Sequence, residues 1–295
     1  MRETFVLQTG AKINIYLEIL GVRRDGYHEL RSLFAPVDSP SDTLHVSPLP
    51  RGGGLSLSCS MAELEVGENI LHAAYEAFAA ATGERPGLRI HLDKGIPPGS
   101  GLGGASADAA ALLVFLNDRL PADSRLDSTS LLRVAASVGS DVPFFLLGRT
   151  AWVTGAGEEV AVSELEPQLD GLVIVCPDVV VSTAWAYREY DRWTVSRERP
   201  GKSLTRTRKA FNDLFCSSGQ LWYNDFEPVV LRSHPELRSL KYTLYRIGAR
   251  AVALNGSGSS MNALFASEES HRRCLRFLEQ NSITHFIAAR NRTGV

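Results

Sequence analysis

The sequence has little cysteine, no long apolar run and no excess of basic residues, and each shortage excludes a class of protein. Its 295 residues include four cysteines, none in a CxxC pair, which argues against a disulfide scaffold and for a reducing compartment. No segment approaches the roughly 18 apolar residues of a membrane span, and we expect no signal peptide. Lysine and arginine total 31 against 33 acidic residues, a net charge of −2. We therefore expect a cytoplasmic protein without nucleic-acid or membrane partners.

Metal-binding patterns are also missing. The seven histidines show neither HxxxH nor HExxH spacing, so we expect no zinc site. The composition is 44% hydrophobic and 22% charged, which is typical of globular proteins. The length suggests about two domains, and we place them at residues 1–160 and 161–295. Strand and helix patterns are mixed without strict alternation, which favours an α+β fold over a doubly wound sheet.

Apolar periodicity places regular elements along the chain. Residues 11–20 alternate isoleucine or leucine with polar residues, which predicts a strand with one buried face. Lys12 and Asn14 then project together from its other face. Helical spacing over residues 68–82 predicts a helix that stops at Gly83. The other predicted elements are helices at 105–116, 131–138 and 228–247, and strands at 88–92, 172–175 and 251–254.

The densest glycine segment of the chain directly precedes a predicted helix. Glycines allow backbone N–H groups to approach an anion, and a helix start adds free N–H groups and a positive dipole end. No lysine follows as in a Walker A loop. A GxGxxG spacing is present, but a dinucleotide site expects it after the first strand, with an acid ~20 residues on. The pattern therefore predicts a cradle for phosphate groups over Pro97, Pro98, Gly99, Ser100, Gly101, Leu102, Gly103, Gly104, Ala105, Ser106 and Ala107.

The segment PPGSGLGGASADAA resembles the glycine loop of the GHMP small-molecule kinases. Two further motifs follow the family's order: AKINIYL with RRDGYHEL, and LNGSGSSMNALF. The likeness extends from about Ala11 to Phe265. It implies a two-domain GHMP-kinase-like fold, with an amino-terminal ribosomal-S5-like domain and a carboxy-terminal ferredoxin-like α/β sandwich. It also implies ATP as phosphoryl donor, together with Mg²⁺.

The segments GSDVPFF and NDFEPVV narrow the resemblance to one branch of that family. Members of this branch phosphorylate a cytidine diphosphate-linked polyol in the non-mevalonate route to isoprenoid precursors. The resemblance therefore implies a small-molecule substrate of that kind. The other possibilities are a GHMP kinase acting on mevalonate-type, homoserine or sugar alcohols, a catalytically silent nucleotide-binding module and, third, an NAD-binding protein. We expect a monomer or a weak homodimer.

Asp141 and Lys12 are the candidate catalytic residues. By pattern alone, Asp141 before Val-Pro predicts a helix N-cap, and Lys12 is typical of a solvated strand edge. The resemblance instead implies that Asp141 is the catalytic base. It implies that Lys12 keeps this carboxylate ionised and steadies the acceptor oxygen.

The remaining site residues follow from the resemblance. Asn69 and Lys94 are assigned to ATP, although Asn69 also fits the N-cap of the helix after it. Ser106 is a doubtful Mg²⁺ ligand, because Ala105 occupies the family's usual serine position. Asp108 brings a negative charge near the phosphates unless its side chain points away. The substrate is expected to contact Asn14, Tyr27, His28, Tyr187, Gly256 and Ser257.

The basic run at residues 192–210 invites a nucleic-acid interpretation. It lacks a series of aromatic residues, and a solvated surface loop is the more common explanation. A narrower hypothesis is that Arg206 and Arg208 supply a cation to the substrate diphosphate.

Overall fold

The structure is a computed structural model that describes residues 4–50, 52–64, 69–195 and 222–288. The chain forms two compact units, and each is assembled from separate stretches of sequence. Strands β1 (Phe5–Val22) and β2 (His28–Pro48) each pass from one unit into the other. The domain boundary near residue 160 stays a prediction. Of the described residues, those within 4–11, 40–97 and 103–149 form unit 1, and those within 12–39, 98–102 and 150–288 form unit 2.

In unit 1, residues of helices and strands share one hydrophobic core. Strand β4 pairs in parallel with β3 and antiparallel with residues Thr43–Pro48 of β2. Helix α2 packs against α1 and α4. The hydrophobic core of unit 1 includes fully buried Leu71, Phe78 and Leu113. Besides a 3-10 turn at Ala62–Leu64, the elements of unit 1 are β3 (Leu55–Cys59), α1 (Ile70–Thr82), β4 (Leu88–Asp93), α2 (Gly104–Asp118), α3 (Ser128–Val138) and α4 (Val142–Leu147).

The helix predicted over residues 68–82 is confirmed as α1. The Asn69 side chain accepts a hydrogen bond from the Leu71 amide and thereby caps the first turn. Gly83 ends the helix with a φ of 77°, a left-handed conformation that glycine adopts without strain. Local sequence signals therefore suffice to set both ends of this helix.

Unit 2 contains a four-stranded antiparallel sheet in the order β11-β7-β10-β9. Residues Leu30–Phe34 of β2 pair with β5, and β8 pairs in parallel with β1. Every residue of β7 is buried. The elements of unit 2 are β5 (Ala151–Gly155), β6 (Glu159–Val162), β7 (Leu172–Cys176), α5 (Thr183–Val195), β8 (Tyr223–Asn224), α6 (Glu227–Ser233), α7 (Pro235–Ile247), β9 (Ala249–Leu254), β10 (Met261–Phe265), α8 (Glu268–Gln280) and β11 (Thr284–Ile287).

One expectation about these elements is wrong, and a second falls mostly outside the described residues. The single helix expected over residues 228–247 is two helices, divided at His234. Pro235 lacks an N–H donor and restricts the residue before it to extended backbone, so α6 ends at Ser233 and α7 begins at Pro235. The basic run begins inside α5, which extends to Val195. The rest of that run, with Arg206 and Arg208, lies outside the described residues.

Strand β1 is buried on both faces where one was expected. Each residue from Lys12 to Ile19 is buried, including the polar ones. The ring of Tyr16, for example, packs against Trp152 and Tyr223 within unit 2. Alternation of apolar and polar residues therefore does not mark a solvated face here. Its polar side chains need partners inside the protein.

Candidate active site

The first glycine loop has the backbone conformation that its sequence predicts. Gly99, Gly101 and Gly103 have φ values of 67°, 81° and 76°, all in the left-handed region. Helix α2 begins directly after them, at Gly104. The amide groups of its first turn have no acceptor within the helix, and no acidic residue lies in that turn. This combination is suited to holding anionic phosphate groups.

The second glycine loop, residues 255–260, lies against part of the first within unit 2. The Ser260 amide and hydroxyl both donate to the Ser100 carbonyl oxygen, at 3.3 and 2.6 Å. A Cβ added at Gly101 would lie only 2.3 Å from the Asn255 carbonyl oxygen. The approach is therefore backbone to backbone, and it requires glycine at this position.

Lys12 and Asn14 do project together, but into the protein rather than into solvent. The Lys12 ammonium donates to Asn14 Oδ1 at 2.9 Å and lies 4.3 Å from the centre of the Phe34 ring. Both residues are buried, at 4% and 1% exposure. The interpretation of Lys12 as a solvated edge lysine is therefore wrong.

Asn14 links strand β1 to the second glycine loop. Its Oδ1 accepts the Gly256 amide at 3.0 Å, and its Nδ2 donates to Ser32 Oγ at 3.0 Å. Its own amide donates to Asn255 Oδ1 at 3.0 Å. Ser257, next in the loop, shares a 2.8 Å hydrogen bond with the Thr183 hydroxyl. The predicted substrate residues Asn14, Gly256 and Ser257 are thus brought together within unit 2.

Asp141 occupies the N-cap position of α4, directly before Val142 and Pro143. Within the described residues, its side chain makes no capping hydrogen bond to the helix. The residue is half-buried. The pattern-based N-cap prediction is therefore right about the position and wrong about the bond. Asp141 belongs to unit 1 and Lys12 to unit 2.

His28 and Tyr187 form a stacked pair in unit 2. Their ring centres are 4.4 Å apart with an interplanar angle of 24°. The His28 Nε2 lies 2.8 Å from Asp191 Oδ1, and the rings of Tyr187 and Phe226 form a T-shaped pair with centres 4.9 Å apart. Tyr27 is 66% exposed and lies outside this stack. His28 is therefore held by a carboxylate and stacked on Tyr187, and the role of these residues toward a pyrimidine base stays a prediction.

Lys94 and Asp108 belong to a buried ionic cluster in unit 1. The Lys94 ammonium bonds to Asp42 Oδ2, and to Asp108 Oδ2 at 3.2 Å. Asp108 Oδ1 accepts from the Thr9 hydroxyl at 3.0 Å. Asp108 therefore points toward Lys94 and Thr9, which resolves the unexplained negative charge in the loop sequence.

Burial raises the pKa of Asp108 to about 7; Lys94 opposes this shift and Asp42 adds to it. Burial lowers the pKa of Lys94, but Asp108 and Asp42 outweigh it and the net pKa is raised. The ammonium is therefore retained at neutral pH. A proton on the cluster resides on a carboxylate.

Several residues of these clusters were not singled out from the sequence. Asp42 lies in a long strand, and its partner Lys94 is 52 residues away. Asp191 follows Tyr187 by one helical turn in α5, and this spacing is a local signal that was available. Asn255 and Asn262 bond through their side-chain amides at 2.7 and 2.9 Å inside the core. Only the spatial arrangement of β9 and β10 shows that pairing.

Metal-binding clusters and membrane-spanning helices are both absent from the described stretches of chain. In residues 4–50, 52–64, 69–195 and 222–288, no group of three or more histidine, cysteine, aspartate or glutamate side chains is arranged to hold a metal ion. Among the helices of these stretches, none has the length and apolar character needed to span a bilayer.

Two segments of the chain match family models of the GHMP kinases. Residues 69–149 match the family described as GHMP kinases N terminal domain, and residues 203–283 match GHMP kinases C terminal. Together with the glycine loop ahead of α2, these matches define an ATP-dependent small-molecule kinase of the GHMP class. The predicted α+β GHMP-kinase fold and the predicted enzyme class are confirmed.

The particular family follows from whole-chain similarity. A 4-diphosphocytidyl-2-C-methyl-D-erythritol kinase of Solidesulfovibrio magneticus is 39% identical over 289 residues, which cover 97% of each chain. The kinase of the same name from Nitratidesulfovibrio vulgaris is 40% identical over 283 residues, covering 96% of this chain and 98% of the relative. The chain therefore belongs to the 4-diphosphocytidyl-2-C-methyl-D-erythritol kinase family.

Solved structures agree with this assignment. A crystal structure of 4-(cytidine 5'-diphospho)-2C-methyl-D-erythritol kinase has a TM-score of 0.78 at 32% identity, covering 96% of this chain and 98% of that one. Homoserine kinase from Cytophaga hutchinsonii has a TM-score of 0.71 at 19% identity, with coverage of 100% and 97%. The second likeness shows a common fold alone.

Proposed function

We propose that this protein transfers the γ-phosphoryl group of ATP to the 2-hydroxyl of 4-diphosphocytidyl-2-C-methyl-D-erythritol, a step toward isoprenoid precursors. The observation that carries the proposal is the loop of three left-handed glycines that leads directly into α2, in a chain about 40% identical to kinases of that name. ATP as donor and the buried free thiols Cys176 and Cys274 fit a reducing cytoplasm.

The loop is proposed to bind the triphosphate through backbone amides. Its glycines remove the Cβ atoms that would keep a phosphate at a distance, and the α2 dipole adds a positive end. The family resemblance also assigns Asn69 and Lys94 to ATP. Both have partners within unit 1, so a direct contact with the nucleotide stays a prediction.

We propose that ATP enters as its Mg²⁺ complex. Mg²⁺ prefers oxygen ligands and keeps several waters, so phosphate oxygens and one hydroxyl are sufficient. Half-buried Ser106, in the first turn of α2, offers such a hydroxyl. Asp108 is directed toward Lys94 and Thr9 instead. When bound, the ion neutralises charge on the phosphates.

Asp141 and Lys12 are proposed to act on the acceptor hydroxyl. Phosphoryl transfer passes through a loose transition state, so the hydroxyl becomes acidic only as its oxygen bonds to phosphorus. A carboxylate at Asp141 then accepts the proton late in the reaction. Lys12 is proposed to stabilise negative charge on the acceptor oxygen. Because Lys12 is buried, the low dielectric of the protein interior strengthens such an interaction.

The cytidine is proposed to bind by stacking and edge recognition. Tyr187 and Tyr27 offer ring faces, and a base stacked on an aromatic ring contributes ~1–3 kcal/mol. His28 offers a donor and an acceptor to a pyrimidine edge. Because the rings of His28 and Tyr187 cover each other's facing surfaces, one of them must move away before a base can stack between them. Asn14, Gly256 and Ser257 are proposed to contact the polyol and its diphosphate.

The test is ADP release from ATP and Mg²⁺ with the cytidyl substrate, beside mevalonate, homoserine and galactose. We expect turnover with the cytidyl substrate alone. Asp141→Asn should lower kcat by about 10²–10⁴ if the residue is the proton acceptor, without loss of ATP binding. Turnover with another alcohol would refute the substrate assignment, and full activity of Asp141→Asn would refute the base assignment.

A further inference from the structure

Three buried charges in unit 1 contact the chain on both sides of the first glycine loop, and none of them is a proposed reacting group. Asp42, Lys94 and Asp108 have side-chain exposures of 0%, 5% and 1%. The Lys94 ammonium joins the two carboxylates, and Thr9 donates to the far oxygen of Asp108. Buried charges are costly unless they are paired and hydrogen-bonded. All contacts of this cluster lie within unit 1.

Asp42 fixes the chain where it leaves β4. Its Oδ1 accepts the backbone amides of Gly95 and Ile96, at 2.7 and 2.8 Å. Its Oδ2 bonds to Lys94. These bonds hold the segment that enters the glycine loop at Pro97. A buried carboxylate accepting backbone N–H groups is a strong, directional contact.

Asp108 fixes the chain where the loop becomes α2. It lies in the second turn of the helix and reaches back to Lys94. The first residue of the same helix packs on the same cluster. A Cβ added at Gly104 would lie 3.0 Å from Asp42 Oδ2 and 2.9 Å from the Cβ of Ile96. The cluster therefore touches the chain on both sides of the loop.

The charge balance of the cluster explains which substitutions it tolerates. Two carboxylates face one ammonium, so full ionisation leaves an excess negative charge. The Thr9 hydroxyl can donate to an ionised Asp108 or accept from a protonated one. Asparagine at position 108 reproduces the protonated arrangement, with its oxygen toward Lys94 and its amide toward Thr9. Alanine there removes both contacts.

We propose that Asp42, Lys94 and Asp108 are positioning residues: they hold both ends of the glycine loop in the conformation that binds the phosphates of ATP. This inference rests on the proposed use of ATP, but not on the identity of the acceptor. It gives Lys94 an indirect role, because its ammonium is held by two carboxylates inside the protein.

The test is calorimetric binding of Mg-ATP without acceptor, on variants whose melting temperature stays above the assay temperature. Asp42→Asn and Asp108→Ala should raise the Kd for ATP by about tenfold or more, since a displaced loop loses at least one hydrogen bond from a backbone amide to a charged phosphate oxygen. Asp108→Asn should restore binding toward the wild-type value. The control is Asp127→Ala, which removes the cap that bonds the Ser130 amide of α3 at 2.7 Å in the same unit. It should lower the melting temperature and leave the Kd unchanged.

Three outcomes would overturn the proposal. The first is a wild-type Kd in both Asp42→Asn and Asp108→Ala. The second is tighter ATP binding by Asp108→Ala, because the released ammonium would then itself be a nucleotide ligand. The third applies if neither variant folds, in which case Thr9→Val is tested because it removes only one hydroxyl from the cluster. An unchanged Kd for ATP in Thr9→Val contradicts the proposal, and a raised Kd supports it.

The ATP-binding measurement, taken together with the turnover assay of the proposed function, separates this inference from that function. Failure of wild-type protein to bind Mg-ATP would refute the kinase proposal and this inference together. Wild-type ATP binding without turnover of the cytidyl substrate would refute the substrate alone. Normal turnover with no effect of the cluster variants on Kd would refute only the positioning role.

Discussion

Ser260 donates two hydrogen bonds to the carbonyl oxygen of Ser100, although the two residues are 160 positions apart in the chain. The amide and hydroxyl of one glycine loop thereby hold the backbone of the other. Gly101, next to Ser100, approaches the Asn255 carbonyl too closely to carry a side chain. Within unit 2 the conformation of the first glycine loop therefore depends on the loop between β9 and β10.

Gly101→Ala is expected to damage the loop beyond the ordinary cost of a left-handed alanine. That cost is roughly 1–2 kcal/mol at a φ of 81°. The new methyl group would also meet the Asn255 carbonyl oxygen at 2.3 Å, so one loop must move. We expect a lower free energy of unfolding in urea and a raised KM for ATP.

Gly83→Ala is the matched control for that substitution. Gly83 has a nearly equal φ of 77°, but a Cβ there meets nothing within 4 Å. It should lose stability without a change in KM for ATP. Equal effects of the two substitutions on KM would contradict the close approach of the two glycine loops as the cause.

Asp108 should make stability fall as pH rises toward neutrality. Its folded-state pKa of about 7 lies above the unfolded value near ~3.9. The unfolded chain therefore releases this proton first, and the stability contributed by protonated Asp108 is lost between these two pH values. Inside that window the loss is on the order of 1 kcal/mol per pH unit.

The measurement is urea unfolding of wild type and Asp108→Asn at pH 5, 6 and 8. Lys94, Asp42 and Thr9 face this site in both proteins, and the asparagine does not titrate. The stability of wild type relative to the variant should decrease from pH 5 to pH 8. A constant difference across this range would show that Asp108 stays ionised throughout.

Asp191→Asn should weaken binding of the cytidyl substrate and leave binding of ATP unchanged. Asp191 holds His28 Nε2 at 2.8 Å, but it is 45% exposed, and such a pair contributes about 1 kcal/mol or less. We expect the KM for the cytidyl substrate to rise by less than about tenfold, with the KM for ATP unchanged. Glu189→Gln, two residues earlier on α5, serves as the control because Glu189 pairs with Arg192 instead. A rise in both KM values for Asp191→Asn would place its effect outside the acceptor pocket.

The sequence predicts local structure here better than it predicts contacts between residues that are distant in the chain. Helix α1 was predictable because Asn69 and Gly83 signal its ends within a few residues. The division between α6 and α7 was available in Pro235, but helical spacing on both sides obscured it. The glycine loop could be predicted as a phosphate site because its signal lies in consecutive residues.

Residues that act across long distances in the chain could not be placed this way. The alternation in β1 suggested a solvated Lys12, but burial depends on strands and loops remote in sequence. The sequence cannot explain the negative charge of Asp108 just after the glycine loop, because the fold brings Thr9, 99 residues away, and Lys94 to this side chain. A carboxylate that is unfavourable near phosphates is stable when an ammonium pairs with it in the core.

The most direct test of the central claim is ³¹P NMR of the reaction of wild-type protein with ATP, Mg²⁺ and 4-diphosphocytidyl-2-C-methyl-D-erythritol. The 2-carbon of this substrate carries a methyl group and no hydrogen, so a phosphate on its hydroxyl gives a phosphomonoester signal without three-bond coupling to a proton. We expect that uncoupled signal to grow in step with ADP. A proton-coupled phosphomonoester, or ADP and free phosphate without a new ester, would contradict the proposed reaction.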